Sequence, residues 1–526
     1  MLGWLMPRAN FPIFTKKIFM KLTSFLAFCL ACSVTALTGQ VTTPSFITDS
    51  LDVYVERALK QWDIPGVSVA VVKDGHVVAL KGYGRLEMNK SAKVDENTLF
   101  MIASNTKAFT GTAMAILETE GKCSLDDRVQ KYLPGFTMKD PWVADHLTLT
   151  DVMSHRIGME TFQGDFMYWE TDLTSDEVIK KFGMLTPVYD FRTKWGYCNA
   201  GFLIAGKCLE KITGGSWDAF IGSRIIQPLG MDHTIILTSG LDGSENLASA
   251  HTMVDGKLEV IPHCRIDNLA PAASITSSAA DMSHWLIALL DSGRYNGKQV
   301  IPFKAIQATR FPRSIMGKGG HRYNSSHYSL YGLGWGLAEY EGREMVSHTG
   351  GVDGFVTSVT LLPEENLGVV VLTNTDANGF YEALKWEIVD AYLGLPYRNY
   401  SGTFLKRYQF FQQQDMDQVA AWRDSVDMEL PAPVKLEDFA GRYSHEVYGY
   451  ADLVVKGDHL EMSLQHNPDL TGKLEYIGNN RFLCTYSSPL WGIKVFPFII
   501  EEGKVRSFTL SVADFLEFTT YDFVKD

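Results

Sequence analysis

Ser104-Asn105-Thr106-Lys107 sets a hydroxyl and an amine three residues apart, just ahead of the apolar run Ala108 to Leu117. At the start of a helix, that spacing puts both side chains on one face, one turn apart. The amine can then reach the serine oxygen. The unpaired N–H groups and the positive end of the helix surround that oxygen. An alcohol, a nearby base and a positive local field are what an activated nucleophile needs. The S-x-x-K pattern occurs once in the 526 residues. Taken alone, its plain alternative is a helix-capping serine beside a solvated lysine.

Two further segments could complete such a centre. Tyr197-Cys198-Asn199 brings a phenol, and a tyrosine beside a lysine ammonium has a lowered pKa and can take a proton from serine. Asn199 can donate to a substrate carbonyl and contact Lys107. Alone, a Y-x-N pattern is more often a packed aromatic. His348-Thr349-Gly350-Gly351 precedes Val352-Asp353-Gly354-Phe355 and an apolar run. Its glycines let a substrate backbone lie against a strand edge. The N–H groups of Gly351 and Ser104 could then form an oxyanion hole. The bland reading of this segment is a glycine-rich hairpin turn.

The elements that must hold these residues follow from periodicity and turn residues. Residues 50–62 predict a helix with Leu51, Val55, Ala58 and Leu59 on its apolar side. Runs at 66–72 and 76–80, joined by Lys73-Asp74-Gly75, predict a β-hairpin. Residues 104–120 predict a buried helix, and 121–330 is a long mixed segment rich in Gly, Pro and Asp. Strands are predicted again at 332–337, 356–362 and 367–372, then a helix at 380–393. Strands at both ends of a helical middle predict an α+β arrangement, an α/β sandwich whose single sheet is assembled from distant segments.

Beyond that lies a polar helix with aromatic anchors, 404–427, and a linker at Pro431-Ala432-Pro433. From Leu436 onward, short alternating runs separated by Gly457-Asp458, Gly478-Asn479-Asn480 and Glu502-Gly503 predict an antiparallel β-barrel module. The expected domains are a serine-hydrolase domain at 40–398, a helical linker at 399–433 and a barrel at 434–526.

Hydrophobic residues make up 46% and charged residues 21%, an ordinary globular composition. The formal net charge of -13 repels phosphate backbones and argues against nucleic-acid binding. There is no HExxH, and histidines such as His251, His263, His321 and His327 lack metal-ligand spacing. Neither a metal nor an organic cofactor is expected.

Residues 1–39 predict an export signal. Lys16, Lys17 and Lys21 precede the uncharged stretch Leu22 to Leu37, and Val34-Thr35-Ala36 offers a cleavage site. The alternative is an uncleaved anchor. Cleavage predicts a periplasmic or secreted protein with no stable membrane span. It leaves Cys123, Cys198, Cys208, Cys264 and Cys484, an odd number that cannot all pair within the chain. Cys198 and Cys208, if on one helix, stand about 15 Å apart and cannot bridge.

Taken together and in this order, the three motifs resemble the serine β-lactamase-like and penicillin-binding family. That group includes class C β-lactamases, D-aminopeptidases, D-alanyl-D-alanine carboxypeptidases and family VIII esterases, the S12 peptidase type. The resemblance spans about residues 50–395. Supporting segments are Leu147 to His155, Pro228-Leu229-Gly230-Met231, Tyr331 to Trp335 and Val369 to Asn374. It implies a β-lactamase/transpeptidase-like fold, an antiparallel sheet flanked by helices. It implies that Ser104 is acylated, that Lys107 and Tyr197 handle its proton, and that Asn199, His348, Thr349 and Gly350 bind substrate. The C-terminal module is similar to the lipocalin-like domain attached to some relatives.

His348 stands where β-lactamases carry a lysine for the substrate carboxylate, which puts ordinary β-lactam turnover in doubt. Arg156-Ile157 replaces the small residues usual after Ser154-His155. The resemblance implies an acyl-enzyme hydrolase of amide or ester bonds in a small molecule or short peptide. The competing reading is a penicillin-binding sensor without turnover. Assembly into a homo-oligomer is open.

Overall fold

The structure is a computed structural model that describes residues 43–324 and 326–526. The export signal expected at 1–39 lies outside them. An eight-stranded antiparallel sheet forms the centre of the larger domain. Its strands are β1 (Gly66–Lys73), β2 (His76–Gly84), β3 (Ser314–Lys318), β4 (Tyr328–Tyr331), β5 (Gly336–Tyr340), β6 (Arg343–Val352), β7 (Phe355–Leu362) and β8 (Leu367–Thr373). Their order across the sheet is β2-β1-β8-β7-β6-β5-β4-β3. The pairing of β1 with β8, from Val67 opposite Thr373 to Lys73 opposite Leu367, joins the two ends of the domain as expected.

Every residue of β7 and β8 is buried, which explains their apolar runs: helices cover both faces. Val67, Val69, Val71, Val369 and Val371 turn toward α1 (Leu51–Trp62) and α5 (Phe380–Tyr392). Ala70, Val72, Val370 and Leu372 turn the other way, toward α2 (Thr106–Thr119), α3 (Asn199–Thr213) and α4 (Ala279–Leu290). Helix α2 is buried from Thr106 through Leu117, as a helix that is apolar all round should be. Among the described residues, no helix is long and apolar enough to cross a membrane.

Two expected elements shift. The α-helix predicted from 104 starts at Thr106, because Ala103–Asn105 forms a separate 3-10 turn. The strand predicted at 332–337 begins only at Gly336. Ahead of it, the chain lies flat on the back of α2: a Cβ at Gly334, where φ is +80°, would stand 2.4 Å from the Lys107 carbonyl oxygen. No L side chain fits there, and no strand ladder can form so close to a helix.

The polar helix α6 runs from Tyr400 to Asp427. After it come β9 (Gly441–His445), β10 (Gly449–Lys456), β11 (His459–Leu464), β12 (Asn467–Tyr476), β13 (Arg481–Tyr486), β14 (Ile493–Glu501), β15 (Lys504–Leu510) and β16 (Tyr521–Lys525). They form a closed barrel, sealed where Tyr443 and Ser444 of β9 pair with Lys525 and Val524 of β16. Closure removes exposed sheet edges. Rings of Phe439, Tyr443, Phe482, Phe498 and Phe508 pack against one another inside it. All five cysteines beyond residue 42 are free thiols.

Candidate active site

Ser104 sits on the 3-10 turn that ends the short strand Phe100–Met101. Ala103, at φ 48°, makes the chain reverse sharply there, an unusual conformation for a residue with a Cβ. Lys107 follows in the first turn of α2, fully buried. Its Nζ donates to Ser104 Oγ at 2.9 Å and to the Ala272 carbonyl at 3.0 Å. The same nitrogen lies 4.8 Å from the Tyr197 ring centre and 5.6 Å from that of Phe202. Burial pushes its pKa down to about 7, against the pull of the nearby Asp165 carboxyl. A neutral amine in contact with the serine oxygen is therefore accessible near neutral pH.

Tyr197 precedes α3, and its hydroxyl faces Ser104. The expectation of a lowered phenol pKa is corrected: burial raises it well above the ordinary range, and the nearby Ser104 hydroxyl offsets this only in part. Desolvation of the buried phenol outweighs any pull from the Lys107 amine, which is itself only partly charged near neutral pH. Asn199 also departs from expectation. Its Nδ2 donates to Asp165 Oδ2 at 2.6 Å, and no hydrogen bond joins it to Lys107 among those of the described residues. The backbone at 197–199 is held by His155, whose Nδ1 accepts from the Cys198 N–H at 3.0 Å while its ring packs 4.3 Å from that of Tyr197.

Strand β6 supplies the other wall. Strand β5 pairs with it only from Arg343 to Ser347, so its outer edge is open from His348 onward. A tight turn at Asp353-Gly354 links β6 to β7 and places Gly351 opposite Val356. In antiparallel alternation this is a pair without mutual hydrogen bonds, so the Gly351 N–H faces the open edge. Gly350 must be glycine: a Cβ would stand 2.1 Å from the Ile102 carbonyl oxygen and 2.6 Å from Thr357 Oγ1. That close approach brings the Ser104 turn against the strand edge.

His348 Nε2 is 2.9 Å from the Tyr331 hydroxyl, and its Nδ1 is 2.5 Å from the Thr349 carbonyl. Burial and the Lys107 charge push its pKa to about 3, so it is neutral and cannot replace a lysine as a cation. Thr349 lies on the opposite face of β6 from His348 and is exposed.

Ser104, Tyr197, Asn199, His348, Thr349, Gly350 and Gly351 all line one cleft of about 690 Å³, with Lys107 beneath Ser104. Arg156 does not disturb it: the side chain binds Asp151 Oδ1 at 2.6 Å and the Arg313 carbonyl at 3.2 Å. Sequence reasoning missed four residues near the centre. Tyr331 lay in a segment already noted but without a role. Asp165 is an isolated acid in a loop, and Phe515 and Glu517 sit in the last loop of the barrel; no local pattern marks any of them.

Comparisons with known proteins bear on the family and the fold. The model of the Beta-lactamase family matches residues 51–393, and a domain of unknown function, DUF3471, matches 428–524. An unguisins hydrolase of Aspergillus violaceofuscus is 28% identical over 433 residues, covering 76% of this chain and 75% of that protein. Protein flp of Staphylococcus aureus is 28% identical over 345 residues, 62% of this chain and 63% of its own. The octameric penicillin-binding protein homologue from Pyrococcus abyssi shares the fold, with a TM-score of 0.57 at 19% identity over 91% of this chain and 100% of that one. A match through residues 51–393, well over half of the chain, settles the family: this chain belongs to the beta-lactamase family.

Proposed function

We propose that the protein is an exported serine hydrolase of the S12 peptidase type that works through an acyl-enzyme on amide or ester bonds. The observation that carries this reading is the 2.9 Å contact between a fully buried lysine amine and the Ser104 hydroxyl, beside an open strand edge. Lys107 takes the serine proton as Oγ attacks the carbonyl carbon. The N–H groups of Ser104 and Gly351 hold the oxyanion, an effect worth about 100- to 1000-fold per donor in other enzymes. Tyr197 keeps its proton across the working pH range and is the acid placed to protonate the leaving group; Lys107 then returns a proton to it. Water attacks the ester carbonyl to release the acid and restore Ser104.

The substrate class is a small ester or an amide in a peptide of D-amino-acid or peptidoglycan type. Neutral His348 favours an uncharged ester or aminoacyl amide over any substrate held by its carboxylate, a β-lactam included. Export to a periplasmic or extracellular space rests on the basic-then-apolar pattern of residues 1–39. The test is a panel of p-nitrophenyl esters, D- and L-aminoacyl amides and nitrocefin, with Ser104→Ala as control and mass spectrometry after fluorophosphonate labelling. Turnover of an ester or aminoacyl amide that vanishes in Ser104→Ala supports the reading. Equal rates in both proteins refute the nucleophile, and an acyl group delivered by a p-nitrophenyl ester that stays on Ser104 without clearing makes the protein a sensor.

A further inference from the structure

The barrel reaches the catalytic cleft through one loop, between β15 and β16. Within it, Phe515 packs over Gly351, and Phe518 stacks on Phe162 with ring centres 5.6 Å apart. Between them Glu517 is buried, with 2% of its surface exposed. Its Oε1 accepts from the Gly164 N–H at 2.8 Å and its Oε2 from the Phe166 N–H at 2.9 Å. The Tyr521 hydroxyl donates to the same carboxyl.

Gly164 and Phe166 flank Asp165, whose own Oδ2 holds Asn199 at 2.6 Å while its Oδ1 has no hydrogen-bond partner. Glu517 thus grips the residue on each side of Asp165. Burying a carboxyl at a domain junction costs stability unless it is paired. The titratable groups facing Glu517 are Asp165, Tyr448 and Tyr521, with the Thr519 hydroxyl also in contact, and none of them is a cation. Those facing Asp165 are Glu517, Lys107, Tyr197, Cys198 and Tyr448, besides the Asn199 amide. Its nearest cation is therefore the catalytic amine.

We propose that Glu517, delivered by the barrel, is a positioning residue of the acylation centre that acts through Asp165 on the proton held by Lys107. The barrel is on this view part of the active site rather than an appended module. The proposal rests on the reading of Ser104 and Lys107 given above.

The signs are distinctive. A negative Asp165 favours the ammonium form of Lys107, and a negative Glu517 opposes ionisation of Asp165. Glu517→Gln lets Asp165 ionise more readily, so Lys107 holds its proton to higher pH. Asp165→Asn removes the charge and does the reverse.

The experiment measures the rate of Ser104 labelling by a fluorophosphonate against pH in the full-length enzyme. Glu517→Gln moves the acid limb to higher pH, by about a few tenths of a unit because Glu517 is itself partly protonated there, and Asp165→Asn moves it to lower pH. The double variant follows Asp165→Asn. Lys139→Ala is the control, because it breaks the exposed Lys139–Glu446 bridge between the same two domains (3.1 Å) away from the cleft. Its limb stays at the wild-type position. If Glu517→Gln does not fold, Tyr521→Phe removes a donor to Glu517 and gives a smaller shift in the same direction. A folded Glu517→Gln, or Tyr521→Phe in its place, with the wild-type limb overturns the proposal, as does additivity in the double variant. Labelling that survives Ser104→Ala defeats instead the underlying assignment of the nucleophile.

Discussion

Lys107 Nζ and Ser104 Oγ are 2.9 Å apart although they belong to different elements, an α-helix and the 3-10 turn before it. The amine is sealed beneath the serine by Tyr197 and Phe202. Its low proton affinity thus comes from the packing of a central helix, not from a neighbouring positive charge.

The acylation rate of the wild-type enzyme therefore climbs with pH through a single limb centred near 7, the value to which burial brings Lys107. Lys107→Ala loses that limb and slows acylation by about 100-fold or more. His348, held near 3, adds no limb between pH 5 and 9. Stopped-flow measurement of the p-nitrophenol burst checks both statements.

Lys107→Met gains stability as it loses activity. The folded amine has a pKa of about 7 against 10.5 when free. Between these values the unfolded chain binds a proton that the folded chain lacks, so wild-type stability rises as pH climbs from 7 toward 10.5. The cost of burying the ammonium is full below 7. Lys107→Met is then most favoured below pH 7, by a few kcal/mol at about 1.4 kcal/mol per pH unit of pKa difference, and its lead shrinks toward pH 10. Urea unfolding at pH 6 and pH 9 measures the gap.

Glu517 works in the opposite direction. Its carboxyl is raised from 4.5 to about 7 by burial. The folded chain then holds a proton that the unfolded chain has lost, so this stability is full below 4.5 and is lost as pH rises through 7. Thermal unfolding from pH 4.5 to 7.5 shows a fall in midpoint that is reduced in Glu517→Gln, which has no proton to lose.

Neighbouring glycines of β6 respond differently to alanine. At Gly350 the new methyl meets the Ile102 carbonyl at 2.1 Å, so Gly350→Ala forces the Ser104 turn away from the strand and costs about 2 kcal/mol or more along with activity. At Gly351 the nearest atom is the Phe515 ring at 3.4 Å, an ordinary contact. Gly351→Ala keeps its melting temperature within a few degrees. Calorimetry of the two variants separates the cases.

Phe515 bounds one end of the cleft, its ring 6.4 Å from that of Trp169 on one side and packed over Gly351 on the other. Phe515→Ala opens that end. The ratio of kcat/KM for p-nitrophenyl octanoate over acetate should rise at least about threefold, since each added methylene can gain roughly 0.8 kcal/mol on burial. An unchanged ratio in a folded variant would show that substrates do not extend toward Phe515.

The Ser104–Lys107 contact, which carries the proposed nucleophile and base, and the open-edged strand were legible from local pattern, because each depends on neighbours in the chain. Ser104 and Lys107 are one turn apart, and a run of buried β-branched residues reads as a strand wherever it occurs. The barrel was legible for the same reason, from strands and turns repeating at short intervals.

The tertiary structure decided what lies between those elements. The spacing of Lys107 does not say that its amine is wholly buried, nor that Tyr197 keeps its proton. Both follow from how far solvent is excluded by segments distant in the chain. Asp165 carries no sequence signal because its partners, Asn199 and the backbone grip of Glu517, are brought to it by the meeting of two domains. Residue types and short-range spacing thus determined which groups could react. The electrostatic setting of those groups depends on through-space burial and charge, which local sequence does not encode.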